Sequence, residues 1–158
     1  MRFAPLLLVL ILPMQAAALS CSRPSVARTY TQADSAPQTY VIVKGRLTFD
    51  TGKMPRTGSG RNNPPKMTHV AAQLVGKFMS PSGFNVPFDH PITLEVTCLG
   101  PWCGGAENGH QVLAFVRREQ GEYALAITPC GGHVFANPKP AMLKKVMQCS
   151  SGHECRAD

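Results

Sequence analysis

QVLAFVRREQGEYALAIT, residues 111–128, is the stretch on which the fold turns. Gln111 to Glu119 is a run rich in apolar, β-branched and aromatic residues, Glu122 to Thr128 is a second, and only Gln120-Gly121 lies between them. Two strand-like runs joined by a two-residue turn ending in glycine predict an antiparallel hairpin. Upstream, Thr39 to Phe49 sets Tyr40, Ile42, Leu47 and Phe49 beside Val41 and Val43, the composition of another strand. His69 to Met79 reads as a strand followed by a turn at Pro81-Ser82-Gly83. Ile92, Leu94 and Val96 alternate with Thr93, Glu95 and Thr97 in the two-residue period of a half-buried strand that runs into Cys98.

Beyond the hairpin the period changes. Met142, Leu143, Val146 and Met147 recur at helical spacing, with Asn137 placed to cap and Pro138 or Pro140 suited to the first turn. Lys144 and Lys145 fall near the end of this helix, where the dipole favours cations, and Cys149-Ser-Ser-Gly152 closes it. The methionines read as core packing, because Met fills irregular gaps. Five short strands, a clear hairpin and a terminal helix predict a mainly β fold: a small five-stranded OB-type barrel with a C-terminal helix. Ser22 to Gln38, with Pro24, Pro37 and scattered Ser and Thr, reads as an irregular arm. No internal repeat is visible.

The first 20 residues carry the marks of an export signal. Met1-Arg2 is a short positive start, Phe3 to Leu12 is apolar, and Pro13 to Ser20 ends in small residues. Pro5 and Pro13 interrupt a stretch already shorter than a membrane span requires, and no later segment is apolar enough to cross, so no transmembrane segment is expected. Cleavage after Ser20 leaves one domain, residues 21–158, in a secreted or periplasmic setting. A cut after Ala18 would instead leave Leu19-Ser20 ahead of Cys21. Acylation of Cys21, as in lipoproteins, is a third outcome, against which Ala18-Leu19-Ser20 is a poor match.

From Cys21 onward the chain keeps 15 of its 16 Lys and Arg and all 9 Asp and Glu. That moderate positive balance favours anionic partners. All six cysteines, Cys21, Cys98, Cys103, Cys130, Cys149 and Cys155, follow the signal, and an even count in an exported chain predicts disulfides. Zinc is the competing reading, since Cys130 with His133 and Cys149 with His153 and Cys155 have tolerable ligand spacing. Six cysteines allow 15 pairings, so spacing leaves the connectivity open.

Asp50 to Thr68 breaks all periodicity and reads as a flexible basic loop, mixing glycines and prolines with Lys53, Arg56, Arg61 and Lys66. Loops of this length inside a domain are functional or disordered. With Lys44 and Arg46 on the preceding strand, these residues form a candidate surface for phosphates, anionic polysaccharide or acidic headgroups. The loop itself has no aromatics interleaved for base stacking, so nucleic acid is not expected. Trp102, the only tryptophan, lies in Gly-Pro-Trp-Cys-Gly-Gly, either as a surface anchor or packed over a neighbouring disulfide.

No catalytic residues, no metal ligands of its own and no cofactor are expected. His69, His90, His110, His133 and His153 are scattered, with no local pattern joining a nucleophile, a base and an orienting carboxylate. The cysteine spacings are wider than those of redox motifs.

A cysteine directly after the signal, Cys103-Gly104 before a hairpin, Cys130 at its end and a helix ending at Cys149 resemble, in that order, the netrin-type OB-fold domain of the tissue inhibitors of metalloproteinases. The resemblance covers most of the chain after the signal. It implies a disulfide from Cys21 to Cys103. It also implies inhibition through the free α-amine and carbonyl of Cys21 on a protease's zinc, with Ser22 entering the specificity pocket. An α-amine titrating near 7.7–8.0 has its lone pair available close to neutrality. Beside that implied bridge, Cys98 with Cys130 and Cys149 with Cys155 are the pairings expected. Arg23 stands where the family usually has a second cysteine. Two functions follow: an inhibitor of a zinc metalloprotease acting through Cys21 and Ser22, or an accessory or adhesive module of the cell envelope that binds an anionic polymer or protein partner through Trp102 or the basic segment.

Overall fold

The structure is a computed structural model that describes residues 19–57 and 63–156; Arg61 and most of the expected signal lie outside the described residues. Helix α1 (Val26–Asp34) leads into strand β1 (Thr39–Phe49) and a single 3₁₀ turn (Thr51–Lys53). Strands β2 (Met67–Ser80), β3 (Gly83–Leu99), β4 (Trp102–Cys103), β5 (Gln111–Glu119), β6 (Glu122–Ile127) and β7 (Val134–Ala136) follow, and α2 (Pro140–Ser150) ends the fold.

The fold is mainly β, as expected. Five strands run in the order β1-β2-β3-β6-β5, and β5 pairs back onto β1, closing a ring of strands. Among the described residues β3 with β6 is the only parallel pair. Thr39–Phe49 and Gln111–Glu119 are two of the five strands read from sequence and keep the same bounds, and Gln120 (φ 50°) and Gly121 (φ 88°) both take the left-handed conformation that a tight type I′ turn demands.

Strand β3 is longer than Ile92–Thr97. Pro87 and Pro91 break its sequence pattern, yet both sit within the ladder to β2. The Cys98 N–H donates to the Lys66 carbonyl, at the start of β2, at 2.9 Å. Alternation along the strand therefore turns positions 87 and 91 the other way, toward an edge that β6 covers only from Thr93 to Val96. A proline there removes no ladder bond and leaves the exposed edge without a donor.

Side chains pack on both surfaces of the ring. Inside it, Val43, Leu47, Leu74, Leu94, Val116 and Leu125 form the main core. Outside it, Ile42, Leu113, Phe115 and Phe135 pack with Val26 of α1 and Val146 of α2. Residues Val112 to Val116 of β5 are consequently buried on both faces, which is why the sequence there is a continuous apolar run rather than an alternating one.

Helix α1 replaces the irregular arm expected over Ser22–Gln38. Ser25 caps it, its hydroxyl accepting from the Arg28 N–H at 3.5 Å. Thr29, buried in its middle, donates to the carbonyls of Ser25 (3.0 Å) and Gly132 (2.6 Å), tying the helix to the segment before β7. Helix α2 starts with its cap two residues later than expected, and Pro140, one of the two prolines expected in its first turn, is its first residue. Lys139 is its N-cap, whereas Asn137 (φ 47°) bonds back to β5 through Gln111. Lys144 and Lys145 therefore lie in mid-helix, and Met147 is exposed rather than packed. Among the described residues no helix is long and apolar enough to cross a membrane.

Candidate functional site

All six cysteines are paired, as Cys21–Cys130, Cys98–Cys103 and Cys149–Cys155. The third bridge is the one expected; the other two replace Cys21–Cys103 and Cys98–Cys130. The reason is local. Cys98 and Cys103 are cross-strand partners in the β3–β4 hairpin, with Cα atoms 4.0 Å apart, so each is the other's nearest available thiol. Cys130 follows the end of β6, where Gly131 lies against Pro24 and therefore beside the start of α1. With every sulfur in a disulfide, no thiolate is left for the zinc reading. Three disulfides belong to the chemistry of an oxidising compartment.

The Cys98–Cys103 bridge clamps a four-residue tip, Leu99-Gly100-Pro101-Trp102. Gly100 has φ 59°, the conformation required at the first central position of a II′ turn, and Pro101 fits the second. Below the clamp the Gly104 N–H donates to the Thr97 carbonyl at 2.9 Å. Gly104 lies so close to β6 that a Cβ there would fall 2.3 Å from the Ile127 carbonyl oxygen. The hairpin is thus seated on the end of β6, three residues before Cys130, and shares one end of the ring with the Cys21 staple.

Leu99 and Trp102 are cross-strand neighbours, and Met67 stands opposite Thr97 two positions along the same outward face. Their exposures are 47% for Leu99, 40% for Trp102 and 46% for Met67, among the highest of any large apolar side chains described. Trp102 is therefore exposed, on the hairpin face opposite the Cys98–Cys103 bridge rather than packed over it.

Both described ends of the basic loop meet this hairpin. The Arg56 carbonyl oxygen lies 3.8 Å from the Cys103 sulfur, and the Lys66 carbonyl accepts from Cys98. The loop is also anchored at its start, where Asp50 caps the 3₁₀ turn (2.9 Å to the Gly52 N–H) and Met54 packs against the ring core. Lys53, Arg56 and Lys66 are exposed, and among the described residues none of them forms an ion pair. Lys44 and Arg46 lie elsewhere, on the outward face of β1, with Lys44 opposite Lys77 and Arg46 donating to the Gly109 carbonyl. The structure so brings Arg56 and Lys66 to the hairpin that carries Trp102, leaves Lys53 in the 3₁₀ turn at the start of the loop, and sets Lys44 and Arg46 apart on β1.

Cys21 and Ser22 are exposed, and the Ser22 hydroxyl accepts from the Arg28 guanidinium at 3.0 Å. Close by, His133 has a buried Nδ1 without a partner among the described residues, and its ring stacks on Tyr40 at 6.0 Å. Burial pushes its imidazole below the ordinary histidine range.

Sequence reading missed a cleft of about 500 Å³ on the outer surface of the sheet, lined by His69, Glu95, Arg117, Glu119, Glu122 and Tyr123. Arg117 pairs with Glu95 at 2.6 Å and lies 3.6 Å from Glu119. Its residues are drawn from β2, β3, β5 and β6, so only strand order brings them together. Three carboxylates to one guanidinium give this wall the opposite sign to the Trp102 end. The chain matches no protein-family model, no curated protein and no solved structure.

Proposed function

We propose that the protein is an exported binding module whose docking surface is the stapled Trp102 hairpin with the flanking cations Arg56 and Lys66, and whose partner is anionic. One observation carries this reading: the only tryptophan and two exposed cations that form no ion pair among the described residues, Arg56 and Lys66, distant in sequence, meet at the Cys98–Cys103 hairpin. Exposing Leu99, Trp102 and Met67 together costs the fold hydrophobic burial that a purely structural hairpin would keep. A bridge directly beneath the tip holds those side chains ready, so little ordering entropy is lost on contact.

The test uses the chain beginning at Cys21 and immobilised heparin as a polyanion probe. Arg56→Glu with Lys66→Glu removes retention, and the salt dependence flattens. Lys139→Glu with Lys144→Glu changes net charge equally on exposed positions of α2 and its cap, and leaves most of the retention intact. Equal losses from the two pairs would mean that net charge alone attracts the polymer, and the assigned surface would be wrong.

A second reading, inhibition of a zinc metalloprotease, is favoured by the exposure of Cys21 and Ser22 at the same end of the ring, on a segment that Cys130 ties to the folded domain. An added alanine ahead of Cys21 would remove the chelating α-amine. Inhibition by the native start that disappears with this extension supports the reading; indifference to it ends the idea.

A further inference from the structure

Resting on the reading that the Trp102 end is the docking surface, we infer that its occupant is the surface of an anionic lipid bilayer, into whose headgroup layer Leu99 and Trp102 insert while Arg56 and Lys66 meet lipid phosphates. The tip is uniformly suited to that environment. No charged residue occurs from Val96 to Ala106, and the four residues beyond the staple, Leu-Gly-Pro-Trp, carry no charged side chain. Tryptophan is the residue that most favours the zone between headgroup and acyl chain, because its ring is apolar and its N–H can still find a polar partner.

Shape points the same way. The tip is the protruding end of a two-residue turn, whereas the clefts of the molecule, such as those lined by Glu95 and Arg117 or by Tyr30 and Met79, lie on other walls. A fluid surface accepts a protrusion directly; a folded partner would need a matching hollow. Two residues of extended chain beyond the staple reach roughly 7 Å, the depth of an interfacial contact and far short of a span. Met67 widens the apolar contact on the same face. Beside it, Arg56 and Lys66 have no carboxylate partner among the described residues and are available to anionic headgroups.

Because Trp102 is the only tryptophan, its fluorescence reports on the tip alone. The chain beginning at Cys21 is titrated with unilamellar vesicles of phosphatidylcholine containing phosphatidylglycerol, with pure phosphatidylcholine vesicles as comparison. The expected result is a blue shift of emission with the anionic vesicles only, quenched by lipids brominated on the acyl chain. Removing each of Arg56 and Lys66 lowers the partition coefficient on the order of fivefold. Leu99→Ser lowers it further without altering thermal stability, since Leu99 is exposed. Retention on heparin with no shift on vesicles, or vesicle binding without acyl-chain quenching, overturns the bilayer and leaves the docking surface standing. Failure on both heparin and vesicles removes both.

Discussion

Replacing Gly104 by alanine tests whether the hairpin is seated on β6 as described. An added Cβ would lie 2.3 Å from the Ile127 carbonyl oxygen, 2.5 Å from its carbon and 2.8 Å from the Thr128 nitrogen, all backbone atoms in the strand end that leads to Cys130. Ordinary van der Waals contact begins near 3.4 Å, so the hairpin must retreat by about 1 Å. That retreat lengthens the 2.9 Å bond from the Gly104 N–H to Thr97. Overpacking of this kind costs about 1–3 kcal/mol, which in a domain of this size lowers Tm by roughly 3–12 °C. Gly105 is the internal control, because a Cβ there meets nothing within 4 Å. Gly105→Ala should stay within about 0.5 kcal/mol of the native chain. Thermal unfolding followed by circular dichroism, with urea midpoints as a second measure, reads both variants. If Gly104→Ala is as stable as Gly105→Ala, the hairpin does not rest on β6, and the argument that it shares an end with Cys21 fails with it.

The disulfides should differ in worth, because the loops they close differ: 109 residues of separation for Cys21–Cys130 against 5 for Cys98–Cys103. Chain entropy assigns about 5 kcal/mol to the first and about 2 to the second, so paired Cys→Ser variants should show a much larger loss of denaturation midpoint for Cys21 with Cys130. His133 is held below its unfolded pKa by burial, so the unfolded chain takes up its proton first. Stability is full above about pH 6.5, the unfolded value, and falls as pH drops below it; His133→Gln should flatten that slope in urea midpoints measured from neutral to mildly acidic buffer. Gln120 occupies a left-handed position of the type I′ turn at φ 50°. Gln120→Asn, which tolerates that conformation better, should raise stability by about 0.5–1 kcal/mol in the same assay.

What the sequence determined by itself is the part of the fold written in local pattern. Strand β1 and the β5–β6 hairpin were legible end to end, because side-chain period and the Gln120-Gly121 turn act over a few residues. So was the helix that ends the fold, although its start moved from Asn137 to Lys139 once Asn137 bonded back to β5. Elements that depend on distant partners were not legible. Helix α1, with Thr29, Tyr30 and Thr31 at its centre, has weak propensity of its own and forms where Thr29 meets Gly132 and Val26 meets the outer face of the ring. The first half of β3 was hidden by Pro87 and Pro91, whose harmlessness appears only when the free edge is known.

The candidate site divides in the same way. Trp102 and the basic loop were each visible as residues, but nothing in their spacing says that Arg56 and Lys66 abut the hairpin that carries Trp102. Disulfide pairing likewise follows proximity in three dimensions: the β3–β4 turn sets Cys98 against Cys103, and the chain after β6 carries Cys130 to the start of α1. Local pattern selects strands, turns and helices because its forces act between near neighbours; strand order, bridges and the convergence at Trp102 belong to contacts that only the closed ring creates.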